Sequence, residues 1–319
     1  MNRRAFLRAG SAAGVWALAQ PAPARAQPAS LSFASSTGAV GLTTQVVRRL
    51  DLEKKYDVKL DLKILDPAGA EKALLLRQVD AGLFPVVTAA DLYGRGQEIV
   101  LFAPLLYMHI YVVTWNDAPA QTFADLRGKR IGVIDKVSGA YRGLQALAAR
   151  AGFDFERDFQ PVTGPPPALV AFLQRKQVDA LAIHEPIVTK LLVEGKFRIV
   201  MGLNDEWKKA GKGDWLFVCA GAHREWLMRN RPTAKRLADM FLDAMRQINR
   251  NPDLVEVEAE FLGLKSRAEI DLAKERMPRF FPTEWNEAAV TGAMESVREA
   301  ARLAQIKQLP PQDFISVLR

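Results

Sequence analysis

A four-residue stretch occurs twice in this chain, as Gln78-Val79-Asp80-Ala81 and again, about one hundred residues later, as Gln177-Val178-Asp179-Ala180. After each copy comes a short apolar run and then a proline that opens a further apolar segment, Pro85-Val86-Val87 in the first case and Pro186-Ile187-Val188 in the second. A single four-residue match can occur by chance, so whether it indicates a duplication depends on how far the similarity extends.

The similarity extends in both directions from these copies. Upstream, Thr37-Gly38-Ala39 is matched by Ser138-Gly139-Ala140. Downstream, the strand-like run Glu98-Ile99-Val100-Leu101 is matched by Arg198-Ile199-Val200-Met201. Ordered matches at a nearly constant offset predict an internal duplication, and therefore two similar halves.

Each half alternates short apolar strands with amphipathic helices. The second half has strands at 130–134 and 180–183, a helix after Ser138 and another that begins at Pro186. The first half repeats this pattern with strands at 31–33, 59–64 and 81–84 and helices at 42–50 and 71–76. Alternating strands and helices predict an α/β fold with a parallel-rich sheet and right-handed crossovers in each of two lobes.

The duplication also predicts where the lobes meet. We expect lobe 1 to comprise 27–115 plus 215–319 and lobe 2 to comprise 116–214, with paired crossover strands around 111–114 and 215–218. In sheets of this type, ligands bind outside the carboxyl ends of the strands, where helix N-termini present free N–H groups. Two such edges facing each other would hold a small polar solute in one cleft.

Composition excludes several classes of protein. The 319 residues are 49% hydrophobic and 25% charged, as in an ordinary globular protein. Of the net charge of +8, four units lie in the first 26 residues, which hold four Arg and no acidic residue. The remaining +4 is a small excess over a large surface, so we expect no nucleic-acid partner. The single Cys219 and three dispersed histidines give no metal-ligand spacing, and we expect neither a metal nor another cofactor.

The first 26 residues have the pattern of a cleaved export signal. A basic segment, Arg3-Arg4-Ala5-Phe6-Leu7-Arg8, precedes a weakly apolar stretch and the small-residue end Ala24-Arg25-Ala26. The arginine pair followed by Phe-Leu resembles the twin-arginine export motif, with an ordinary secretory signal as the alternative. We predict cleavage after Ala26 and a mature protein in the periplasm.

Several segments of the mature chain resemble a known family, the extracytoplasmic solute-binding proteins of nitrate, sulfonate, taurine and pyrimidine-precursor import systems. The segments that carry this resemblance are Asp80-Ala81-Gly82-Leu83, 123–133, Asp179-Ala180 with Glu185-Pro186, 231–234 and 248–252. The resemblance implies a two-lobed, type II periplasmic binding protein fold with two crossover strands. It also implies a monomer that captures a small solute and delivers it to an ABC permease driven by a separate ATPase subunit. Family members commonly carry an aromatic residue where this chain has His184.

Candidate ligand-binding residues lie at the predicted cleft edges. Hydroxyl groups and backbone donors at the two helix starts are Ser35, Ser36, Thr37 and Gly38 in one lobe and Ser138, Gly139 and Ala140 in the other. Aromatic and titratable candidates are Phe84, Tyr107, His109, His184, Glu185 and Trp215. Each has a structural alternative: a hydroxyl can serve as a helix cap, an aromatic ring can pack in the core, and Glu185 can make a structural contact at a helix start.

Two further expectations concern side chains near these positions. His109 lies between Tyr107 and Tyr111 in an alternating pattern, which predicts one strand with all three rings on the same face. Asp80 and Asp179 each precede a buried strand and are interpreted as turn residues.

The leading functional interpretation is a periplasmic binding protein for a small anion of the sulfonate, nitrate or taurine type. A pyrimidine-type or aromatic ligand is the alternative, with the cleft aromatics and Glu185 as its partners. A sensing module or an enzyme on the same fold belongs to another class. We expect no enzyme, because no nucleophile has an identifiable base and Cys219 alone cannot supply the Cys-rich motif of the fungal pyrimidine synthase.

Overall fold

The computed structural model describes residues 28–318, so the predicted signal sequence lies outside the described part of the chain. The first lobe is built on a five-stranded sheet with the strand order β2-β1-β3-β10-β4. Its strands are β1 (Ala29–Ser36), β2 (Val58–Leu65), β3 (Ala81–Pro85), β4 (Ile99–Tyr107) and β10 (Leu216–His223).

The second lobe repeats this arrangement, with the strand order β7-β6-β8-β5-β9. Its strands are β5 (Ile110–Trp115), β6 (Arg130–Val133), β7 (Gln160–Thr163), β8 (Ala180–His184) and β9 (Phe197–Gly202). β1 and β6 occupy equivalent places between parallel neighbours. The two-lobed α/β architecture predicted from the duplication is confirmed.

The repeated Gln-Val-Asp-Ala stretches have the same structural role in both lobes. The Asp80 carboxylate accepts hydrogen bonds from the backbone N–H and the hydroxyl of Ser32, at 2.8 and 2.7 Å. Asp179 likewise accepts from the backbone N–H of Arg130 at 2.8 Å and from its guanidinium at 3.0 Å. Each aspartate hydrogen-bonds the turn before a central strand, β3 or β8, to the neighbouring strand, β1 or β6. Both are therefore turn residues, as interpreted from the sequence.

Helices cover both faces of the sheets, and most connections between strands are helical. Their bounds are α1 (Ala39–Arg49), α2 (Leu52–Tyr56), α3 (Pro67–Leu75), α4 (Val86–Tyr93), α5 (Gly139–Arg150), α6 (Phe155–Asp158), α7 (Pro166–Gln174), α8 (Ile187–Val193), α9 (Leu203–Lys209), α10 (Arg224–Arg229), α11 (Arg231–Arg250), α12 (Asp253–Val257), α13 (Arg267–Arg276) and α14 (Glu287–Arg302). The long helix α11 packs on α1 and β4, whereas α14 reaches both α4 and α5. Within residues 28–318, no helix combines the length and the apolar character needed to cross a bilayer.

Each sheet is parallel-rich, as predicted, with one antiparallel strand: β10 in the first sheet and β5 in the second run antiparallel to their neighbours. The structure corrects two other details of the predicted sheets. β5 is not a crossover strand of the first lobe, since its backbone pairs with β8 and β9. The first lobe therefore does not extend to residue 115. Tyr107 and Tyr111 lie in different sheets, because the chain leaves β4 and enters β5 within the two residues Met108 and His109.

The two crossovers lie side by side. The first is Met108–His109, which precedes the expected crossover strand at 111–114, and the second is the loop 210–215 between α9 and β10. The backbone N–H of Met108 donates to the carbonyl of Trp215 at 2.8 Å, so the crossovers are hydrogen-bonded to each other. They do not form the paired strands that the sequence suggested.

Candidate functional site

Four helix starts meet where the lobes face each other. In the first lobe α1 follows β1 and α4 follows β3, and because these strands are parallel neighbours both helices begin at one edge of the sheet. The second lobe presents α5 and α8 after the parallel strands β6 and β8 in the same way. A Cβ atom at Gly38 would lie 4.0 Å from Cδ of Pro186, so the start of α1 lies opposite the start of α8.

The starts of α4 and α5 face each other beside the crossovers. Pro85 and Val86 of the first lobe line one pocket together with Gly139 of the second lobe and Phe217 of β10. Gly139 touches the Phe217 ring so closely that a Cβ atom there would overlap it. The cleft predicted at the carboxyl ends of the strands therefore has both sequence-predicted helix starts at its edge.

The N-terminus of α1 has unusual polar chemistry. Gly38 caps it with φ of 82°, a conformation that favours glycine, and no side chain caps the helix. Ser35, at the end of β1, is fully buried, and its hydroxyl has no hydrogen-bond partner among residues 28–318. Ser36 is also buried, whereas Thr37 is exposed. A buried hydroxyl without a partner is costly, and Ser35 closely precedes the start of α1, where a bound solute can supply the partner.

The N-terminus of α5 is capped from within the chain. The Ser138 hydroxyl accepts a hydrogen bond from the backbone N–H of Tyr141 at 3.2 Å, which confirms the structural alternative for this residue. Gly139 is half-buried at the cleft, and Ala140 is buried. The two helix starts matched in the sequence therefore differ, because α5 has a side-chain cap and α1 has none.

Two histidines lie together on the cleft floor. The ring centroids of His109 and His184 are 5.9 Å apart, and Phe217 lies 5.8 Å from His109. Burial is the main cause that lowers the pKa of His109, to about 3, and the neighbouring His184 adds to the effect. Burial also lowers the pKa of His184, although the Glu185 carbonyl and carboxylate oppose it. Both imidazoles are therefore neutral at neutral pH.

Glu185 is engaged within the protein and does not point freely into the cleft. Its side chain is fully buried, and one carboxylate oxygen accepts from the backbone N–H and the hydroxyl of Thr189, at 2.9 and 2.7 Å. The other oxygen pairs with the guanidinium of Arg276, from which Nε donates at 2.8 Å. The structural alternative for Glu185 therefore describes its contacts, and its charge partner is an arginine of α13.

Three aromatic candidates have different surroundings. Phe84 is fully buried in β3, opposite Cys219 of β10. Trp215 stacks on Trp207, with ring centroids 4.5 Å apart, and lines the same pocket as Gly139. Tyr107 lines a different pocket, behind the crossovers, so the structure does not bring it to the cleft.

Sequence reasoning missed several residues at the lobe contact. Phe217 could have been found, because the strand Trp215-Leu216-Phe217-Val218 alternates and places Phe217 on the face of Trp215. Phe280, 6.1 Å from His109, has no sequence signal of this kind. Arg142 of α5 pairs with Asp91 of α4 at 3.2 Å, and both side chains are nearly buried.

One acidic group at the cleft, Glu71, has no ion pair among residues 28–318. Glu71 on α3 faces charged groups of the second lobe, Asp135 and Arg142. Burial and, to a smaller extent, the negative charge of Asp135 raise the pKa of Glu71 to about 7, although Arg142 opposes both. Glu71 is therefore partly protonated near neutral pH. Within residues 28–318, no group of three or more potential ligands is arranged to hold a metal.

Two lobes joined by adjacent crossovers, with helix N-termini directed at a shared cleft, define a two-lobed solute-binding protein. Comparison with known families gives the same class. Residues 49–257 match the family described as the periplasmic substrate-binding protein of phosphonate ABC transporters, and the chain belongs to this family. The expectation of an extracytoplasmic solute-binding protein of an ABC importer, a class that works with a membrane permease, is confirmed.

Individual relatives are proteins named for sulfonates. An aliphatic sulfonates-binding protein of Escherichia coli (strain K12) is 28% identical over 186 residues, a match that covers 56% of this chain and 56% of that protein. The matched part of this chain thus covers little more than half the length of that relative. Over most of both chains, the fold is similar to the periplasmic aliphatic sulphonate binding protein SsuA from Escherichia coli, with a TM-score of 0.70, 20% identity and coverage of 88% of this chain and 95% of that chain.

A second solved structure has a similar fold. The alkanesulfonate-binding protein SsuA from Xanthomonas axonopodis pv. citri, bound to MOPS, has a TM-score of 0.71 and 20% identity, with coverage of 92% of this chain and 100% of that chain. At this level of identity, the likeness shows the periplasmic binding protein fold. The predicted fold class is confirmed.

Proposed function

We propose that this protein captures a small organic oxyanion of the sulfonate type in the interlobe cleft and delivers it to a membrane permease for import. The observation that carries this proposal is the start of α1, which has no side-chain cap and closely follows Ser35, whose buried hydroxyl has no partner among the described residues. Helix N-termini favour negative charge, and a tetrahedral oxyanion offers several acceptor oxygens to such donors.

The comparisons support an oxyanion. The relatives named above are described as sulfonate-binding, and the family description names phosphonate. Both groups are tetrahedral and anionic, so the same set of donors suits either. We propose a sulfonate first because several similar proteins are named for it.

A pyrimidine-type or other aromatic ligand is the second candidate. It is favoured by the rings on the cleft floor, which are His109, His184, Phe217 and Phe280. Glu185 cannot serve such a ligand as a charge partner, because Arg276 and Thr189 occupy its carboxylate. The family is one of solute-binding proteins, which supports the expectation that the chain is not an enzyme.

Calorimetry on the purified mature protein tests the proposal. The panel is ethanesulfonate, methylphosphonate, nitrate and uracil, each titrated under the same buffer conditions. We expect ethanesulfonate to bind more tightly than uracil by at least about tenfold, which corresponds to ~1.4 kcal/mol. Tighter binding of uracil, or no binding of ethanesulfonate, would contradict the sulfonate assignment.

We further propose that the protein is exported by the twin-arginine route, with cleavage after Ala26. It acts as a monomer, in which the chain crosses between the lobes at Met108–His109 and at 210–215. Because the paired arginines are the recognised feature, replacement of Arg3 and Arg4 by lysine should leave uncleaved precursor in the cytoplasm. Normal processing of this double variant in cell fractions would exclude dependence on that route.

A further inference from the structure

The cleft floor contains a pair of imidazoles that the proposed oxyanion contacts do not use. His109 lies in the first crossover, and His184 is the last residue of β8. His109 is surrounded by the rings of His184, Phe217 and Phe280, with centroids between 5.8 and 6.1 Å from its own. The pair therefore occupies an aromatic environment contributed by both lobes and by the crossover.

Hydrogen bonds define the tautomer of each ring. Nδ1 of His109 lies 3.2 Å from the carbonyl oxygen of Tyr107, and Nδ1 of His184 lies 2.9 Å from the carbonyl oxygen of Glu185. A carbonyl oxygen can only accept, so Nδ1 must carry the hydrogen in both rings. Because a neutral imidazole has one N–H, Nε2 of each ring is a hydrogen-bond acceptor.

Neither Nε2 atom has a hydrogen-bond partner within residues 28–318. The groups near the pair do not, on balance, stabilise the protonated form of either imidazole. The Glu185 carboxylate favours a positive charge on His184, but it is paired with Arg276, and Lys190 and burial act against that charge. His184 in turn disfavours a positive charge on His109. The floor of the cleft thus presents two neutral acceptors.

The pair complements the donors at the helix starts. Pro186, two residues after His184, lies opposite Gly38 at the uncapped start of α1. Phe217 touches both His109 and Gly139, which joins the pair to the start of α5. A short solute can therefore present acceptor oxygens to the helix starts and a donor group to the imidazoles.

We propose that His109 and His184 form a hydrogen-bond-accepting subsite, which selects oxyanions that carry an N–H or O–H group on a short chain. This inference rests on the proposed sulfonate function and specifies how the end of the solute opposite the oxyanion is recognised. A polar site rejects an analogue that lacks the matching group, because its buried acceptors are then left without a partner.

Three solutes of nearly equal size test the subsite: ethanesulfonate, 2-hydroxyethanesulfonate and 2-aminoethanesulfonate. We expect the two donor-bearing solutes to bind the unmodified protein at least about tenfold more tightly than ethanesulfonate. His184→Phe removes the acceptor and should reduce this preference to less than about threefold. His184→Gln keeps an acceptor near the position of Nε2 and should retain the preference.

The outcomes separate the two proposals. If none of the three sulfonates binds, the proposed function fails, and this inference fails with it. Equal affinities for all three in the unmodified protein would overturn the subsite alone. A donor preference that survives in folded His184→Phe and in folded His109→Phe would do the same.

Discussion

Ser35 combines two properties that rarely occur together in one side chain: it is fully buried, and its hydroxyl has no hydrogen-bond partner among residues 28–318. Leaving a buried hydroxyl unpaired costs roughly 1–3 kcal/mol in the free energy of folding. An alanine would avoid that cost. The position of Ser35 at the end of β1, beside the start of α1, explains why a hydroxyl is useful there, because a bound oxyanion can accept its hydrogen bond.

Ser35→Ala should therefore have opposite effects on stability and on binding. We expect the free energy of unfolding of the ligand-free protein to be unchanged or to rise by up to about 1 kcal/mol. The affinity for ethanesulfonate should fall by about tenfold. Urea unfolding and calorimetry measure the two quantities.

Thr43 provides the matched control. It is also fully buried, and its hydroxyl also lacks a partner among the described residues, but it lies one turn inside α1 rather than at its start. Thr43→Val should leave sulfonate affinity within about twofold of the unmodified protein. A similar loss of affinity in both variants would show that Ser35 acts through packing rather than through its hydroxyl.

The buried histidines make stability depend on pH. His109 has an ordinary pKa of 6.5 in the unfolded chain and a pKa of about 3 in the folded protein. Between these values, the unfolded chain binds a proton that the folded protein does not. The free energy of unfolding should therefore decrease as the pH falls below about 6.5, by up to ~1.4 kcal/mol per unit for this group.

Urea unfolding between about pH 7 and pH 4 measures this dependence. His109→Phe removes one titrating group, so its stability should fall less steeply with decreasing pH than that of the unmodified protein. Parallel pH profiles for the two proteins would contradict the assignment of the effect to His109.

At the scale of elements, the start of α5 depends on a close approach to β10. Gly139 has no side chain, and the Phe217 ring fills the space where a Cβ atom would lie. The ring thus lies against the first turn of α5 and forms part of the cleft wall. This contact joins the helix start of one lobe to a strand of the other.

Gly139→Ala should displace the Phe217 ring and change the cleft wall. We expect sulfonate affinity to fall at least about tenfold, with a loss of roughly 1–3 kcal/mol in the free energy of unfolding from overpacking. Adding Phe217→Ala should relieve the overlap and recover part of the stability. Calorimetry and urea unfolding of the single and double variants measure both effects.

Gly292 on α14 is the matched control for this substitution. No atom lies within 4 Å of a Cβ built there, so an alanine meets open space. Gly292→Ala should raise the free energy of unfolding by about 0.5–1 kcal/mol and leave affinity unchanged. Unchanged affinity in a folded Gly139→Ala protein would move the binding site away from the start of α5.

At the scale of the whole molecule, two nearly buried ion pairs hold the lobes together. Arg142 of the second lobe pairs with Asp91 of the first. Arg276, on α13 after the long helix of the first lobe, pairs with the fully buried Glu185 of the second. Removing one partner of a buried pair is costly, about 3–5 kcal/mol, unless the remaining charge reaches water.

Arg276→Met should therefore separate the lobes. Opening the cleft gives Glu185 access to water, so we expect a larger radius of gyration in solution scattering and a lower urea midpoint than in the unmodified protein. Saturating ethanesulfonate should partly restore the smaller radius, because a ligand held by both lobes favours closure.

Arg267→Met on the same helix serves as the control. Arg267 pairs with Asp271, but both side chains are more than half exposed, at 63% and 53%. An exposed pair contributes at most about 1 kcal/mol, so the radius of gyration should not change. Equal scattering curves for Arg276→Met and Arg267→Met would mean that the Glu185 pair does not hold the lobes together.

The sequence by itself determined the two-lobed architecture. The duplicated Asp80 and Asp179 turns and the alternation of strands and helices are local signals, and each predicts its element without knowledge of the other lobe. Helix starts after Ser35–Gly38 and at Ser138 follow from the same local rules, so their place at the cleft could be predicted from the order of the elements.

Only the tertiary structure decided what each candidate residue does. Glu185 faces Arg276, and Asp91 faces Arg142 in addition to its helical neighbour Arg95. No local pattern shows the two contacts between residues distant in sequence. The first crossover was misplaced because β4 and β5 form a nearly continuous apolar run, and the two residues between them carry no turn signal. Whether Ser35 and the His109–His184 pair keep unused hydrogen-bonding atoms depends on every neighbour that packs around them. Those neighbours come from both lobes, and local sequence patterns do not specify them.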